Sequence, residues 1–157
     1  MNIAKTLEYG WPNTEWSLNG NTYAGLTWLD PSASKPTEQE IINVSEEYEL
    51  ISAKEGKINK NRIEAGRRIA LLFGVPYGDR MRDKQLNSIV RYNELREKEL
   101  AETITASEET EIALLRSMKE SINAIRDAEN TAATSINNAS DHAAVDAISV
   151  RWPSDKA

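Results

Sequence analysis

The chain has 157 residues, no cysteine, one histidine and a formal net charge of -6 at pH 7. Disulfides, thiolate metal centres and histidine clusters are therefore excluded. An apolar content of 39% with a mean hydropathy of -0.58 supplies little core material, which favours extended helices that each bury one stripe. No window approaches about 18 apolar residues, and no basic stretch leads into an apolar run at the N-terminus, so neither a membrane span nor a secretion signal is expected.

Residues 1–10 read as an extended arm that ends at the turn signal Trp11-Pro12-Asn13. Glu15 to Leu18 and Thr22 to Leu29 then predict the two strands of a hairpin. Asn19-Gly20 between them is the pair that a two-residue type I′ turn requires, because both positions take positive φ. In that register Trp16 lies opposite Tyr23, and Gly25 marks a bulge beside Leu26 and Trp28. Three of the four Trp fall in the first 28 residues. Rings so concentrated need a surface to pack on, and a lone hairpin is marginal in water. Trp11, Trp16, Tyr23, Leu26 and Trp28 are therefore the candidate docking residues.

Thr37 with Glu40 forms a capping box after Pro36 and opens a helix that buries Ile41, Ile42, Val44, Tyr48 and Ile51. Gly56 is expected to interrupt or end that helix, with a second one running from Ile58 to Phe73. The run Gly74-Val-Pro76-Tyr-Gly78-Asp is a break. Leu86, Ile89, Val90, Tyr92, Leu95, Leu100 and Ile104 describe a third helix. Ser107 reads as the N-cap of a last helix with acids in its first turn.

Along that last helix Leu115, Met118, Ile122, Ile125, Ala132, Ile136, Ala139 and Ala143 follow alternating steps of three and four, interrupted only at Glu129. This is a heptad-like seam; continuous from Glu108 to Val150, the helix would span about 64 Å. Leu115, Met118, Ile122, Ile125, Ala132 and Ile136 are the candidate oligomer seam, and a helix hairpin packed within one chain accounts for the same stripe equally well. The expected fold is mainly α: an N-terminal arm and aromatic hairpin over 1–36, a helical region over 37–105, and a long C-terminal helix over 106–157.

The charge is uneven. Residues 37–53 carry five acidic side chains and no basic one, while residues 54–99 carry twelve basic against seven acidic. Lys57, Lys60, Arg62, Arg67 and Arg68 have the charge for a phosphate backbone. No nucleic-acid motif, stacking aromatic or Gly-rich loop accompanies them, and a solvated helix face is the simpler account.

No phosphate loop, dinucleotide fingerprint, nucleophile elbow or zinc pattern occurs. The adjacent pairs Glu46-Glu47 and Glu108-Glu109 point about 100° apart on a helix and do not converge on one substrate. His142 sits in an Ala-rich stretch without partners for catalysis. The expectation is a non-enzyme with no catalytic residue, cofactor or metal.

The stretch from Trp16 to Ile41 resembles a pattern in small proteins of tailed bacteriophages: Trp, Gly, Tyr, Leu-x-Trp, Asp, then Lys-Pro-Thr and Glu-Ile. The likeness covers roughly residues 11–42. A fainter one continues through Pro76 to Leu95 and over Ala124 to Asn130, with an insertion between Pro76 and Lys84-Gln85-Leu-Asn87. The resemblance implies a structural virion protein, a fibre or a fibre-to-tail adaptor, assembled in the host cytoplasm. It implies docking through the N-terminal region on other virion proteins and self-association through helices, with three-fold symmetry by analogy to fibres. No membrane partner is expected, and nucleic acid is not the expected partner. The alternatives are a tail-fibre assembly chaperone absent from mature particles, and an intracellular nucleic-acid-binding protein using residues 54–98.

Overall fold

The computed structural model describes residues 1–153. The protein is mainly α: the described residues form five α-helices and one two-stranded antiparallel hairpin near the N-terminus. The elements are α1 (Ile3–Gly10), β1 (Trp16–Leu18), β2 (Leu26–Trp28), α2 (Glu38–Leu72), α3 (Asp79–Leu100), α4 (Ala106–Asn137) and α5 (His142–Ala147). The chain divides into two compact units, Met1–Gly56 and Lys57–Ala157. The N-terminal unit thus takes in the first part of α2 along with residues 1–36, and the boundary falls within that helix.

The first ten residues are helical, not an extended arm. Asn2 caps α1 by accepting a hydrogen bond from Lys5 N at 3.2 Å. Ile3 and Leu7, one turn apart, give the short helix its buried stripe. Asn21 ties the helix to the hairpin loop: its Oδ1 accepts from Ile3 N at 2.9 Å, and its Nδ2 donates to Met1 O at 3.1 Å. The tertiary core of this unit is Ile3, Leu7, Leu26 and Ile41, with Trp11, Trp16, Leu18, Tyr23 and Trp28 packed against it.

The hairpin forms with a different register. Trp16 pairs with Trp28, Ser17 with Thr27 and Leu18 with Leu26, so Tyr23 is not opposite Trp16. The connection is a seven-residue loop closed by Asn19 N donating to Gly25 O at 3.0 Å, with a 3₁₀ turn over Tyr23–Gly25. Gly20 has φ +76° but Asn19 does not lie at positive φ, so the type I′ turn is not made. A longer loop wins because it frees Asn21 to hold α1. Gly25 belongs to the loop end and is not a bulge; a Cβ there would sit 2.0 Å from Asn19 O, a backbone atom that cannot yield without opening the loop. Gly25→Ala is expected to destabilise the N-terminal unit by about 2 kcal/mol, measured as a lowered denaturation midpoint. An unchanged midpoint would mean the loop closes differently.

The capping box at Thr37 forms: Thr37 N donates to Glu40 Oε2 at 2.7 Å, and Glu40 N donates to Thr37 Oγ1 at 3.2 Å. Of the five apolar residues assigned to this helix face, Ile41 is buried while Ile42, Val44, Tyr48 and Ile51 are half-buried. Gly56 does not break the helix, and α2 runs unbroken for 35 residues. A single exposed glycine costs about 1 kcal/mol, less than the burial of Ile41 on one side of it and of Ala65 and Ile69 on the other. The helix ends in a Schellman motif: Val75 N donates to Ala70 O, Gly74 N donates to Leu71 O, and Gly74 takes φ +63°.

Helices α3 and α4 form an antiparallel hairpin across the short turn 101–105. The N-cap of α4 is Thr105, not Ser107, because Glu108 stands three residues after Thr105 and closes a full capping box. Glu108 also bonds Lys98 of α3, and Arg91 grips Glu111 in a two-pronged contact of 2.9 and 2.7 Å. The Lys98 hydrogen bond, then the Thr105 backbone N–H, pull the Glu108 carboxyl down to about 2. Its folded value is depressed, so its contribution is present above the ordinary value of 4.5 and is lost as pH falls toward about 2. Across that window, melting temperature should fall less steeply in Glu108→Gln than in the parent protein. Parallel profiles would remove the capping carboxylate from the acid response.

The last helix is not continuous to Val150. It stops at Asn137, and Asp141 opens α5 by accepting from Ala144 N at 2.8 Å. The Ser140-Asp141 pair competes with the helix backbone and starts a new cap.

Candidate functional site

Glu46 and Glu47 are exposed on α2, with Glu47 accepting a hydrogen bond from Tyr9 Oη at 3.2 Å. Glu108 caps α4, and His142 is an exposed residue at the start of α5. Among the described residues no group of three or more His, Cys, Asp or Glu could hold a metal ion. No helix among them is long and apolar enough to cross a membrane.

The five hairpin candidates divide into two sets. Leu26 is core. Tyr23 and Trp28 are half-buried, and their polar ends are used internally: Tyr23 Oη donates to Pro36 O at 2.9 Å, and Trp28 Nε1 donates to Ala33 O at 2.7 Å. Lys35, of the Lys-Pro-Thr run and not among the docking candidates, lies over the Tyr23 ring at 4.7 Å and donates to Leu26 O at 2.7 Å. Trp11 and Trp16 instead line an open cleft of about 490 Å³ together with Pro12 and Leu29, with Glu8 and Glu15 among its walls. Leu29 is exposed there and was not predicted.

The six seam candidates also divide. Ile125, Ala132 and Ile136 are buried. Ile125 packs against Ala65 and Ile69 of α2, with Phe73, Met81, Ile122 and Trp152 around them. Glu129, the interruption in the seam, is buried as well and faces Arg62 at 3.8 Å.

Leu115, Met118 and Ile122 are half-buried and form the α4 wall of a groove of about 470 Å³ between α3 and α4. Ile89 and Tyr92 form its α3 wall, and Phe73 lies at the α2 end. Arg96, Lys119 and Arg126 also line the groove, and no acidic side chain does. Hydrogen bonding from Arg116, and then from Arg96, holds the Tyr92 phenol below its ordinary pKa. Lys119 lies 5.8 Å from the centre of the same ring.

No family model, curated protein or solved structure matches the chain. Two open surfaces have a distinct chemistry of their own. Each offers apolar side chains beside charge of a single sign, negative at the N-terminal cleft and positive at the α3–α4 groove. Such surfaces suit docking to another macromolecule.

Proposed function

We propose that the chain is a structural component of a tailed-phage particle, a fibre or a fibre-to-tail adaptor, that docks through its N-terminal region and meets neighbouring proteins through its helices. It is assembled in the host cytoplasm and retained in the virion. The observation that carries this reading is apolar surface left open on helices in so polar a chain: Leu86 is 61% exposed, Ile89 58% and Val90 51% on one face of α3, and Leu114 is 62% exposed on α4. Exposed rows of this kind favour a protein interface over a monomer in water. The resemblance of residues 11–42 to small phage proteins supports this class of particle, and Trp11, Trp16 and Leu29 offer the N-terminal docking face. Of the six seam residues proposed for a homotrimer, Ile125, Ala132 and Ile136 are spent within the chain, which leaves Leu115, Met118 and Ile122 for a partner.

Quantitative mass spectrometry of purified particles tests the proposal. A fixed copy number per particle is expected. Abundance in infected cells with absence from particles favours the assembly chaperone, which would use the same surfaces transiently. The nucleic-acid reading finds less support, because several of its cations are engaged. Lys57 donates to Val145 O and Asp146 O, Arg62 faces Glu129, Arg68 pairs with Glu64, and Arg91 and Lys98 hold α3 against α4. Salt-dependent DNA affinity in the purified protein would revive it.

A further inference from the structure

We infer that the groove between α3 and α4 is a docking site for an acidic amphipathic helix of a different protein. This deepens the reading of the helices as a contact surface by naming the chemistry of the partner. The groove carries an apolar strip of Ile89, Leu115, Met118 and Ile122, with Gln85, Ser88, Asn93 and Asn123 beside it and three cations at its edges. Among the described residues Arg96, Lys119 and Arg126 have no carboxylate within ion-pair distance, whereas Arg62, Arg68, Arg91, Lys98 and Arg116 each do. Three cations without counter-charge, gathered around one apolar trough with no acid in its lining, ask for carboxylates from outside.

The extent of the surface selects a helix. From Gln85 to Arg96 on α3, and from Leu115 to Arg126 on α4, the walls run about 16 Å each, close to three helical turns. Exposed Leu86 and Val90 extend the apolar face of α3 beyond the groove itself. A helix laid in this trough would set its apolar stripe on Ile89, Leu115, Met118 and Ile122, with flanking glutamates reaching the three cations. A second copy of the chain seated groove to groove would instead oppose cation to cation, with like charges and no acid between them. Nucleic acid could use the three cations and Tyr92, but it would leave the aliphatic side chains Ile89, Leu115, Met118 and Ile122 without an apolar partner.

The test uses the full chain and two synthetic peptides of roughly five helical turns, with leucine on one stripe and either glutamate or lysine at every flanking position. Fluorescence anisotropy at low salt should show the glutamate peptide binding about tenfold more tightly than the lysine peptide, with the gap closing as salt rises. The triple variant Arg96→Glu, Lys119→Glu, Arg126→Glu should reverse that preference. Its circular dichroism and melting temperature check that the surface changes leave the fold intact. If the triple variant unfolds, Lys119→Glu alone should narrow the preference. Met118→Asp should weaken both peptides. Equal binding of the two peptides, binding by neither, or preference for a DNA duplex of equal length would overturn the inference. So would a concentration-dependent homo-oligomer that Met118→Asp dissociates and the glutamate peptide does not disturb. Each of these results is independent of whether the protein is found in particles, which only the mass spectrometry decides.

Discussion

Ile125→Asp is expected to unfold the C-terminal unit, lowering its stability by about 4 kcal/mol or more, and not merely to dissociate an assembly. Ile125 is 6% exposed and packed on Ala65 and Ile69. Removing the side chain alone costs about 2–5 kcal/mol, and the carboxylate put in its place is surrounded by apolar side chains. Far-UV circular dichroism during thermal or urea unfolding reads the loss directly. Met118→Asp, one open stretch of groove away on the same helix, should shift the transition by much less, about 1 kcal/mol, because its side chain lines an open groove and is partly in water. Together the two variants separate the part of the stripe that holds the chain together from the part that is left for a partner. An Ile125→Asp protein that melts like the parent would place the whole stripe between chains.

Leu7→Ala should cost about 2–5 kcal/mol in the N-terminal unit. Leu7 is fully buried with Ile3, Leu26 and Ile41, and the indoles of Trp11, Trp16 and Trp28 pack on that cluster. Truncation leaves a cavity at the point where α1 meets the hairpin, in a unit with few other core residues to share the loss. Tryptophan emission should shift to the red at a lower denaturant concentration than in the parent, since three of the four Trp report on this unit. An unchanged transition would mean that residues 1–10 behave as a loose arm.

The elements that were legible in the sequence are those whose signal is local. Thr37 and Glu40 write a capping box three residues apart, and Gly74 with Pro76 writes a helix stop. Asn19-Gly20 between aromatic runs writes a hairpin, and all three form. The apolar spacing of residues 115–136 likewise announces a helix with a stripe. The errors fall where a local signal competes with packing. Gly56 has an unfavourable propensity, yet it stays helical because cost at one residue is small beside burial on either side. Asn19-Gly20 has the pair for a tight turn, yet the loop widens to let Asn21 hold α1 and to bring Gly25 against Asn19. Ser107 competes with Thr105 for the cap, and Thr105 wins because its partner Glu108 is also fastened to Lys98 of the neighbouring helix.

The two candidate surfaces were half legible for the same reason. Spacing alone places Leu115, Met118, Ile122, Ile125, Ala132 and Ile136 on one face but cannot say which of them another part of the chain will cover. That depends on where α2 lies, and the fold puts Ala65 and Ile69 against Ile125 while leaving Leu115 and Met118 open. Nor does spacing reveal that Arg96 of α3 and Lys119 and Arg126 of α4, distant in sequence, surround one groove without a carboxylate among its walls. What the sequence by itself determined is the helical class, the absence of cysteine chemistry, the caps and the stripes, all set by neighbours within a few positions. Only the tertiary structure decided which stripes are spent inside the chain and which remain for a partner, because burial and charge pairing are settled between residues that the chain brings together from far apart.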